Sequence, residues 1–292
     1  MIELFNYETD YTKNAYNLDG DIYLDIETTG LKKYSDYAWV IGVGEIKSDK
    51  IFVTQIFISS QTDERESLLA LNKILKDKSR IITFNGNIFD IPFLKARAKF
   101  YGIELSFPEN AYDLYDVVRT NNRYLMIKRI NLKTVEKFLN IERNDPLAGK
   151  DTMRLYKTVV ETGYTFLKKT LLNHNYLDVK NLPYVMNINQ VINDTKNIDS
   201  NFKTENYYIL NDKLIAEIAS QKKLPKISIF DKEYSIVGEN TRLKISVNLE
   251  SKIIDGKKVY YFSDSKKVVK IDFIFYPILK EKICKIIKTI KI

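Results

Sequence analysis

The sequence predicts an α/β protein in which a mixed sheet is flanked by helices, with a smaller β-rich module after it. Apolar and polar residues alternate between positions 21 and 58, apolar residues recur at helical spacing between 110 and 190, and short β-type runs return beyond 207. Alternation is typical of strands, whereas apolar residues three and four apart form one face of a helix. A hydrophobic content of 45% in 292 residues is enough for a folded core.

The first predicted elements are three strands that form an antiparallel meander, at residues 21–27, 37–47 and 51–58. Apolar residues at helical spacing then predict a helix over 63–77, and the apolar run at 80–84 is typical of a buried strand. Three strands, a helix and a further strand are the order expected of a mixed sheet with helices packed on it.

A turn and a helix start are predicted directly after that strand. Asn85-Gly86 supplies the turn, Asn87 is the predicted N-cap, and Pro92 fits the first turn of a helix. Asp90 is therefore predicted at a junction between a strand and a helix.

Four amphipathic helices are predicted next, at residues 113–121, 131–139, 150–162 and 164–182. Pro183 is expected to end or kink the last of them at Leu182. The polar segment at 193–206 is the predicted linker, so we expect one domain over residues 1–192 and a basic module over residues 207–292.

The predicted module contains short β-type runs, at residues 226–230, 242–249 and 257–262. Asp255-Gly256 is a tight-turn signal between strands. Residues 278–290 interleave isoleucine and lysine at helical spacing, which predicts an amphipathic basic helix at the end of the module.

The net charge of +8 is concentrated in one part of the chain. Residues 1–199 hold 27 Lys+Arg and 27 Asp+Glu, whereas residues 200–292 hold 19 Lys+Arg and 11 Asp+Glu. The basic excess of the second part predicts contact with nucleic-acid phosphates. The alternative is a compositional bias, because the chain is rich in Lys, Asn and Ile.

Composition also excludes several classes of protein. No run of about 18 apolar residues occurs, and the N-terminus has neither a basic start nor an apolar stretch, so we expect neither membrane association nor secretion. The single Cys284 and the single His174 exclude a disulfide framework and a Cys/His zinc site. A cytoplasmic location is therefore expected.

Two carboxylates lie at the end of the first predicted strand. Asp25 and Glu27 share one face of that strand, with Ile26 on the other, because side chains alternate. Two like charges side by side are unfavourable unless a cation lies between them. The alternative interpretation places both carboxylates on an exposed edge of the sheet.

For Asp90, the alternative interpretation is that its carboxylate only interacts favourably with the dipole of the helix, an effect of ~0.3–1 kcal/mol.

His174 and Asp178 lie four residues apart on the last predicted helix, so they share one face of it. An imidazole beside a carboxylate is a suitable general base near neutral pH. The alternative is that His174 lies on a solvated helix surface. Together with the three acids above, Asp178 predicts a site for two hard divalent ions, Mg²⁺ or Mn²⁺, and hence phosphodiester hydrolysis.

Three further residues follow strand ends beside these acids and are candidates for substrate binding: Thr28, Asn85 and Gly86. At Thr28 the chain can turn away and leave backbone groups near the site, and the amide of Asn85 and the bare backbone of Gly86 are suited to contact with a ligand.

Four motifs in order resemble those of the ribonuclease H-like exonucleases of the DEDD type, most closely the YprB-like subgroup. They cover about residues 20–187 and are DIETTGL, TFNGNIFDIPFL, AYDLYDVVR with NLKTVEKFLNI, and LLNHNYLDVKNL. The resemblance implies a ribonuclease H-like sheet and 3′–5′ exonuclease activity on single-stranded nucleic acid. It also implies that two metal ions are held by four acids, Asp25, Glu27, Asp90 and Asp178.

In the same resemblance, His174 matches the residue that activates the attacking water. It lies four residues before Asp178, the spacing of the tyrosine-type members, whereas histidine-type members use five. The pattern HN-x-x-D of the YprB-like subgroup has the same spacing. Asp113 in AYDLY matches a supporting position and is not expected to bind metal.

Two other functions are compatible with the sequence. One is a structure-selective endonuclease on the same fold, and the other is a catalytically silent nucleic-acid-binding module. Against the second, a silent copy has no physical reason to keep four mutually repelling carboxylates together. The predicted partner is nucleic acid, either DNA or RNA, and no oligomeric state follows from the sequence.

Overall fold

A computed structural model of the chain describes residues 1–125, 127–147, 149–196, 201–264, 267–271 and 281–287. Contacts between residues divide the chain into two compact units. The first consists of residues 1–117, 131–136 and 140–187, and the second of residues 118–130, 137–139 and 188–292. Within the described residues, no helix combines the length and the apolar character that crossing a membrane requires.

The described part of the first unit contains a six-stranded mixed sheet. Its strands are β1 (Glu3–Asp10), β2 (Asp21–Thr28), β3 (Ala38–Lys47), β4 (Lys50–Phe57), β5 (Arg80–Thr83) and β6 (Asn110–Asp113). Their order in the sheet is β1-β4-β3-β2-β5-β6. The first four strands are joined antiparallel, whereas β2, β5 and β6 run parallel. The mixed sheet confirms the predicted α/β fold, and β2, β3 and β4 are the predicted meander.

Helices cover both faces of this sheet. The described helices before residue 197 are α1 (Glu64–Leu75), α2 (Asp90–Phe100), α3 (Leu114–Leu125), α4 (Leu132–Phe138), α5 (Gly149–Thr162), α6 (Thr165–Val185) and α7 (Ile188–Lys196). In the first unit, α1 and α2 pack on one face, and α5 and α6 pack on the other. The sheet is therefore the middle layer of three.

Two strands of the sheet, β1 and β6, are not predicted from the sequence. β1 pairs with β4 along its whole length, but every residue of it is exposed or half-buried. It therefore lacks the buried apolar side by which strands are recognised in a sequence. β6 has only four residues and is held by its parallel pairing with β5.

The start of α2 differs from the prediction. The helix begins at Asp90, and Phe89 rather than Asn87 occupies the N-cap position. The preceding residues 86–89 form turns instead, because the Phe89 N–H donates to the Asn85 carbonyl at 3.2 Å. Asp90 is therefore the first helical residue.

α6 continues through Pro183 to Val185, so the helix does not end at Leu182, which is one of the two predicted outcomes, an end or a kink. A proline removes one helical hydrogen bond, because it has no N–H. The Pro183 carbonyl accepts hydrogen bonds from the Tyr11 hydroxyl and the Asn14 amide, each at 3.1 Å. These contacts from the N-terminal segment hold the last turn of the helix.

The predicted linker at 193–206 is structured on both sides of residues 197–200, which lie outside the described part of the chain. α7 extends to Lys196, and the next strand begins at Phe202. α7 buries Ile188, Ile192 and Thr195, of which only Thr195 belongs to the predicted linker. The domain boundary between 192 and 207 stays a prediction.

The second unit contains two antiparallel three-stranded sheets in its described residues. Their strands are β7 (Phe202–Leu210), β8 (Lys213–Phe230), β9 (Tyr234–Asn248), β10 (Glu250–Ile254), β11 (Lys257–Asp264) and β12 (Lys267–Ile271). Asp255 and Gly256 have φ of +50° and +71° and form the predicted tight turn between β10 and β11. Residues 281–287 are helical, and the rest of the helix predicted over 278–290 lies outside the described residues.

Apolar and basic residues alternate along β9 between the core and the surface. Ile245 and Val247 of β9 pack in the same core as Ile283. On the same strand, Arg242 and Lys244 are exposed. The basic residues of β9 therefore lie at the surface.

Candidate active site

Strand β2 directs its acidic side chains to one face of the sheet. Ile22, Leu24 and Ile26 pack into the apolar core beneath α1 and α2. Asp25 and Glu27 alternate with them, and both carboxylates contact or approach side chains of α6. β2 lies between β3 and β5, so the alternative of an exposed sheet edge is excluded.

Gly42 of β3 allows α6 to approach the sheet closely. A Cβ at Gly42 would lie 2.3 Å from Asn175 Oδ1 and 2.7 Å from Val179 Cγ2. Asn175 Nδ2 donates to Asp25 Oδ2 at 2.8 Å, and Asn175 Oδ1 accepts from Gln55 Nε2 at 2.7 Å. The Asn175 amide, oriented by both partners, therefore ties α6 to the strand that carries Asp25.

Asp90 reaches β2 from the first turn of α2. Its side chain is buried, and Oδ1 accepts a hydrogen bond from the Ile26 N–H at 3.0 Å. β2 pairs with β5 only as far as Tyr23, so this N–H lies beyond the paired part of the strand. Asp90 therefore contacts the strand of the first two acids, in addition to its position at a helix N-terminus.

The loop between β5 and α2 is held by Asp113 from the end of β6. Its carboxylate accepts from the backbone N–H of Asn85 at 2.7 Å and from that of Asn87 at 2.9 Å. Asn85 has φ of +70°, and a Cβ at Gly86 would lie 2.5 Å from Thr83 Cβ. Asp113 thus has the supporting position that the sequence indicates, and the loop conformation explains the Asn-Gly pair.

Thr28 ends β2, where the register with β3 shifts between Glu27 and Thr28. Its hydroxyl donates to the Gly30 carbonyl at 2.7 Å and so starts the turn that follows the strand. The substrate-binding roles of Thr28, Asn85 and Gly86 stay predictions.

His174 and Asp178 of α6 face Glu27. His174 Nε2 lies 3.3 Å from Glu27 Oε1 and 3.4 Å from Asp178 Oδ2. Ligand atoms of these three residues all lie within 4.8 Å of one another, close enough for one metal ion. The His174 side chain is only 4% exposed, which excludes a solvated helix surface. The Thr152 hydroxyl of α5 donates to Glu27 Oε2 at 2.7 Å.

Asp145 holds the other nitrogen of His174. Its Oδ2 lies 2.7 Å from His174 Nδ1, and its side chain is only 1% exposed. Burial opposes the charged form, but hydrogen bonds from Arg143 and Lys133 outweigh it and lower the pKa of Asp145. An ionised carboxylate can only accept, so Nδ1 carries a hydrogen, and Nε2 is the nitrogen that faces Glu27 and Asp178.

Arg143 joins three carboxylates behind the site. Its Nη1 forms an ion pair with Asp178 Oδ1 at 2.5 Å and donates to Glu136 Oε1 at 3.0 Å. Its Nη2 donates to Asp145 Oδ2 at 2.7 Å. Burial opposes the charge of Arg143, but Asp178 and Glu136 outweigh it and raise the pKa of the guanidinium.

The four acids predicted from the sequence meet at this site. Burial raises the pKa of Asp25 well above its usual range, and Asp178, Asp90 and Glu27 act in the same direction. Burial likewise raises the pKa of Glu27 to about 8 and that of Asp90 to about 7, with the Asp178 charge contributing to both. Mutual repulsion of this kind requires the carboxylates to lie near one another.

The donor set fits hard divalent cations. Carboxylate oxygens are the ligands that Mg²⁺ and Mn²⁺ prefer. Arg143 forms ion pairs with Glu136, Asp145 and Asp178, and Lys133 forms one with Asp145. A bound divalent cation would supply positive charge beside the other three acids, Asp25, Glu27 and Asp90, and so favour their ionised forms.

Sequence reasoning misses Asn175, Arg143, Asp145 and Glu136. Arg143 and Asp145 lie at residues 141–147, a stretch without regular secondary structure and without hydrophobic periodicity. The only local signal is an arginine and an aspartate two residues apart in a loop between two helices. Asp145 contacts His174, 29 positions away, and Arg143 contacts Asp178, 35 positions away. Hydrophobic periodicity is a local pattern and does not predict contacts of this kind.

Comparison with known families gives a match over more than half of the chain. Residues 22–190 match the family model RNase_H_2, described as RNase_H superfamily. The protein YprB of Bacillus subtilis, described as uncharacterized, is 29% identical over 173 residues, which are 58% of this chain and 41% of YprB. The chain thus spans about two fifths of the length of that relative.

Two DNA polymerases are also similar to parts of the chain. The DNA polymerase of Methanocaldococcus jannaschii is 40% identical over 52 residues, 18% of this chain and 3% of the polymerase. The structure of the family B DNA polymerase of Pyrobaculum calidifontis aligns with a TM-score of 0.48 and 18% identity, covering 59% of this chain and 25% of the polymerase.

Proposed function

Because the chain belongs to the RNase H superfamily, we propose that it is a metal-dependent nuclease, and specifically a 3′–5′ exonuclease acting on single-stranded nucleic acid. The observation that carries the proposal is the convergence of four carboxylates from β2, α2 and α6. Asp25 is half-buried beside three others, Glu27, Asp90 and Asp178, each of which raises its pKa. Such a cluster is unfavourable unless cations join it.

The cations that this site fits are two Mg²⁺ or Mn²⁺ ions, held by the four acids. When bound, two such ions lower the pKa of an attacking water and stabilise the charge that develops on the departing 3′ oxygen. The protein supplies the ligands in an orientation set by hydrogen bonds, those from Asn175 to Asp25 and from Thr152 to Glu27 being 2.8 and 2.7 Å long.

His174 is the proposed proton acceptor. Asp145 holds Nδ1, so the lone pair of Nε2 faces the space beside Glu27 and Asp178, at 3.3 and 3.4 Å. A water attacking a phosphodiester from this space can transfer its proton to Nε2. General base catalysis of this kind contributes about 10²–10⁴-fold to the rate.

The loops beside the carboxylates offer contacts for a nucleic-acid chain. Leu31 follows the end of β2 and Ile88 precedes Asp90, and both apolar side chains are exposed. Exposed apolar side chains next to an acidic site are suited to contact with the bases of unpaired nucleotides. Similarity to a protein named a DNA polymerase agrees with a nucleic-acid substrate.

The test is a time course on single-stranded DNA and RNA labelled at the 5′ end, with Mg²⁺ or Mn²⁺ added to chelator-stripped protein. We expect a ladder of products shortened from the 3′ end, and no products from the Asp178→Asn variant. Circular single-stranded DNA separates the modes of attack, because an exonuclease cannot start on it. Cleavage of the circle would refute the exonuclease assignment, and no cleavage of any substrate would refute nuclease activity.

A further inference from the structure

The loop between α4 and α5 carries a buried arginine. Residues 141–147 have no regular secondary structure, yet the Arg143 side chain is only 6% exposed. A buried guanidinium is unfavourable unless carboxylates surround it. Arg143 contacts three of them, those of Glu136, Asp145 and Asp178.

These contacts fix the direction of the guanidinium. Nη2 donates to Asp145 Oδ2 at 2.7 Å, while Nη1 donates to Glu136 Oε1 at 3.0 Å and meets Asp178 Oδ1 at 2.5 Å. Nε also donates to Asp145 Oδ2, at 3.2 Å. A planar guanidinium that contacts carboxylates through all three of its nitrogens cannot rotate without breaking one of the contacts.

The two oxygens of Asp178 consequently face different partners. Oδ1 is held by Arg143, whereas Oδ2 lies 3.4 Å from His174 Nε2, which in turn lies 3.3 Å from Glu27 Oε1. Oδ1 of Asp178 is therefore bound by the protein, and Oδ2 is directed towards the space that it shares with His174 and Glu27.

On the basis of the proposed function, we infer that Arg143 is a positioning residue that makes Asp178 a one-oxygen metal ligand. It occupies Oδ1 and leaves Oδ2 for a divalent cation. A carboxylate without this partner can bind a cation through both oxygens, which changes the position of the cation relative to His174 and Glu27.

Arg143 remains in place when a cation binds. Glu136 and Asp145 have side chains that are each only 1% exposed, and both depend on the guanidinium. If Arg143 moved away, Asp145 would retain Lys133 at 3.0 Å, but Glu136 would retain only the neutral amide of Asn181 among its hydrogen-bond partners in the described structure. A buried carboxylate that loses its cation is strongly unfavourable.

The test compares two full-length variants that differ only at Arg143, because Arg143→Gln alone would leave Glu136 without its cation. The reference is Glu136→Gln, and the test variant is Glu136→Gln with Arg143→Gln. Mn²⁺ affinity is measured by calorimetry without nucleic acid, and turnover is measured separately at saturating Mn²⁺.

We expect the double variant to bind Mn²⁺ roughly tenfold more tightly than Glu136→Gln, because a positive charge next to Asp178 is gone. At saturating Mn²⁺ its turnover should nevertheless fall about 10²-fold, because the cation is misplaced. Tighter binding with unchanged turnover would overturn the inference, since Arg143 would then act only as a competitor. Unchanged or weaker binding would also overturn it, since the contribution of Arg143 would then be structural.

Arg143→Lys keeps the positive charge and provides a second test of the inference if the double variant does not fold. One ammonium group cannot hold three carboxylates in the geometry of a guanidinium. We expect Mn²⁺ affinity close to that of the unaltered protein and turnover roughly tenfold lower, whereas full turnover would overturn the inference. If the unaltered protein binds no Mn²⁺, the proposed nuclease function fails together with the role of Arg143. If the unaltered protein binds Mn²⁺ and cleaves nucleic acid, but each Arg143 variant has the same affinity and turnover as its reference, only the role of Arg143 fails.

Discussion

The two faces of strand β2 differ in their effect on stability: one carries apolar side chains, and the other carries carboxylates. On the face towards α1 and α2, Leu24 and Ile26 are buried among apolar residues. On the face towards α6, Asp25 and Glu27 are carboxylates whose pKa is raised, first by burial and then by neighbouring acids. The first face stabilises the fold by about 1.5–3 kcal/mol per buried side chain. The second opposes folding until cations neutralise it.

Residues that stabilise the fold and residues proposed for catalysis are therefore next to one another along a single strand. Side chains alternate with period two, so adjacent residues report on different properties of the protein. Substitutions at neighbouring positions of β2 should therefore have opposite consequences, and this expectation can be tested directly.

The largest effect is expected from Asp25→Asn. The substitution removes a proposed metal ligand and one of the repelling charges, so cleavage should fall to background while the chelator-treated protein melts at an equal or higher temperature. The measurements are Mn²⁺-dependent cleavage and thermal unfolding in chelator.

Leu24→Ala is the matched control for Asp25→Asn on the opposite face. It should lower the free energy of unfolding by about 2–5 kcal/mol, because it leaves a cavity, and should preserve the cleavage rate of the folded protein. If Asp25→Asn destabilises the protein as much as Leu24→Ala, the two faces do not differ in the proposed way.

The next largest effect is expected from His174→Ala, which should lower turnover about 10²–10⁴-fold. Asp145→Asn should lower it less, by roughly 10–100-fold, because the amide still holds the ring but no longer supplies a charge. Asn173→Ala, at an exposed position of the same helix, is the control and should have no effect. Equal rates for His174→Ala and the control at pH 6–9 would contradict a role for the imidazole in proton transfer.

A smaller effect is expected from Gly42→Ala on β3, which tests how closely α6 must approach the sheet. A methyl group there would press against Asn175 and Val179 of α6. Overpacking of this kind should cost about 1–3 kcal/mol of stability and weaken Mn²⁺ binding, because Asn175 is pushed away from Asp25. Gly149→Ala adds the same methyl group to open space and should leave both quantities unchanged. Equal behaviour of the two variants would show that close approach of α6 is not required.

The sequence predicts those parts of the molecule in which function follows from a local pattern. The alternation in β2 predicts that Asp25 and Glu27 share a face, and helical spacing predicts the same for His174 and Asp178. The mixed sheet follows from the order of strands and helices. A helix register, however, does not say what lies opposite, so Asn175 is recognised only from its contact with Asp25.

The parts that resist prediction are held by contacts far apart in the chain. Arg143 and Asp145 lie on a loop, and β1 is an edge strand without a buried face. The nucleic-acid role predicted for residues 207–292 stays a prediction. On β9 the exposed Arg242 and Lys244 lie near an exposed acid, Glu239, so net charge alone does not identify a binding face.

The smallest effect is a dependence of stability on pH that cations should suppress. Burial raises the pKa of Glu27 to about 8 and that of Asp90 to about 7, above the values of both groups in an unfolded chain. The folded state therefore binds these protons more tightly. Its stability is greatest below about pH 4 with respect to these two groups and falls as the pH rises through 7 and 8.

In chelator, the melting temperature should consequently decrease between pH 6 and 9. Mn²⁺ replaces the protons, so the stabilisation by Mn²⁺ should grow over the same interval. Glu27→Gln cannot lose a proton at this position, and its melting temperature in chelator should fall less steeply than that of the unaltered protein. A melting temperature that rises with pH in chelator would mean that the carboxylates on the α6 face of β2 do not repel one another in the folded protein.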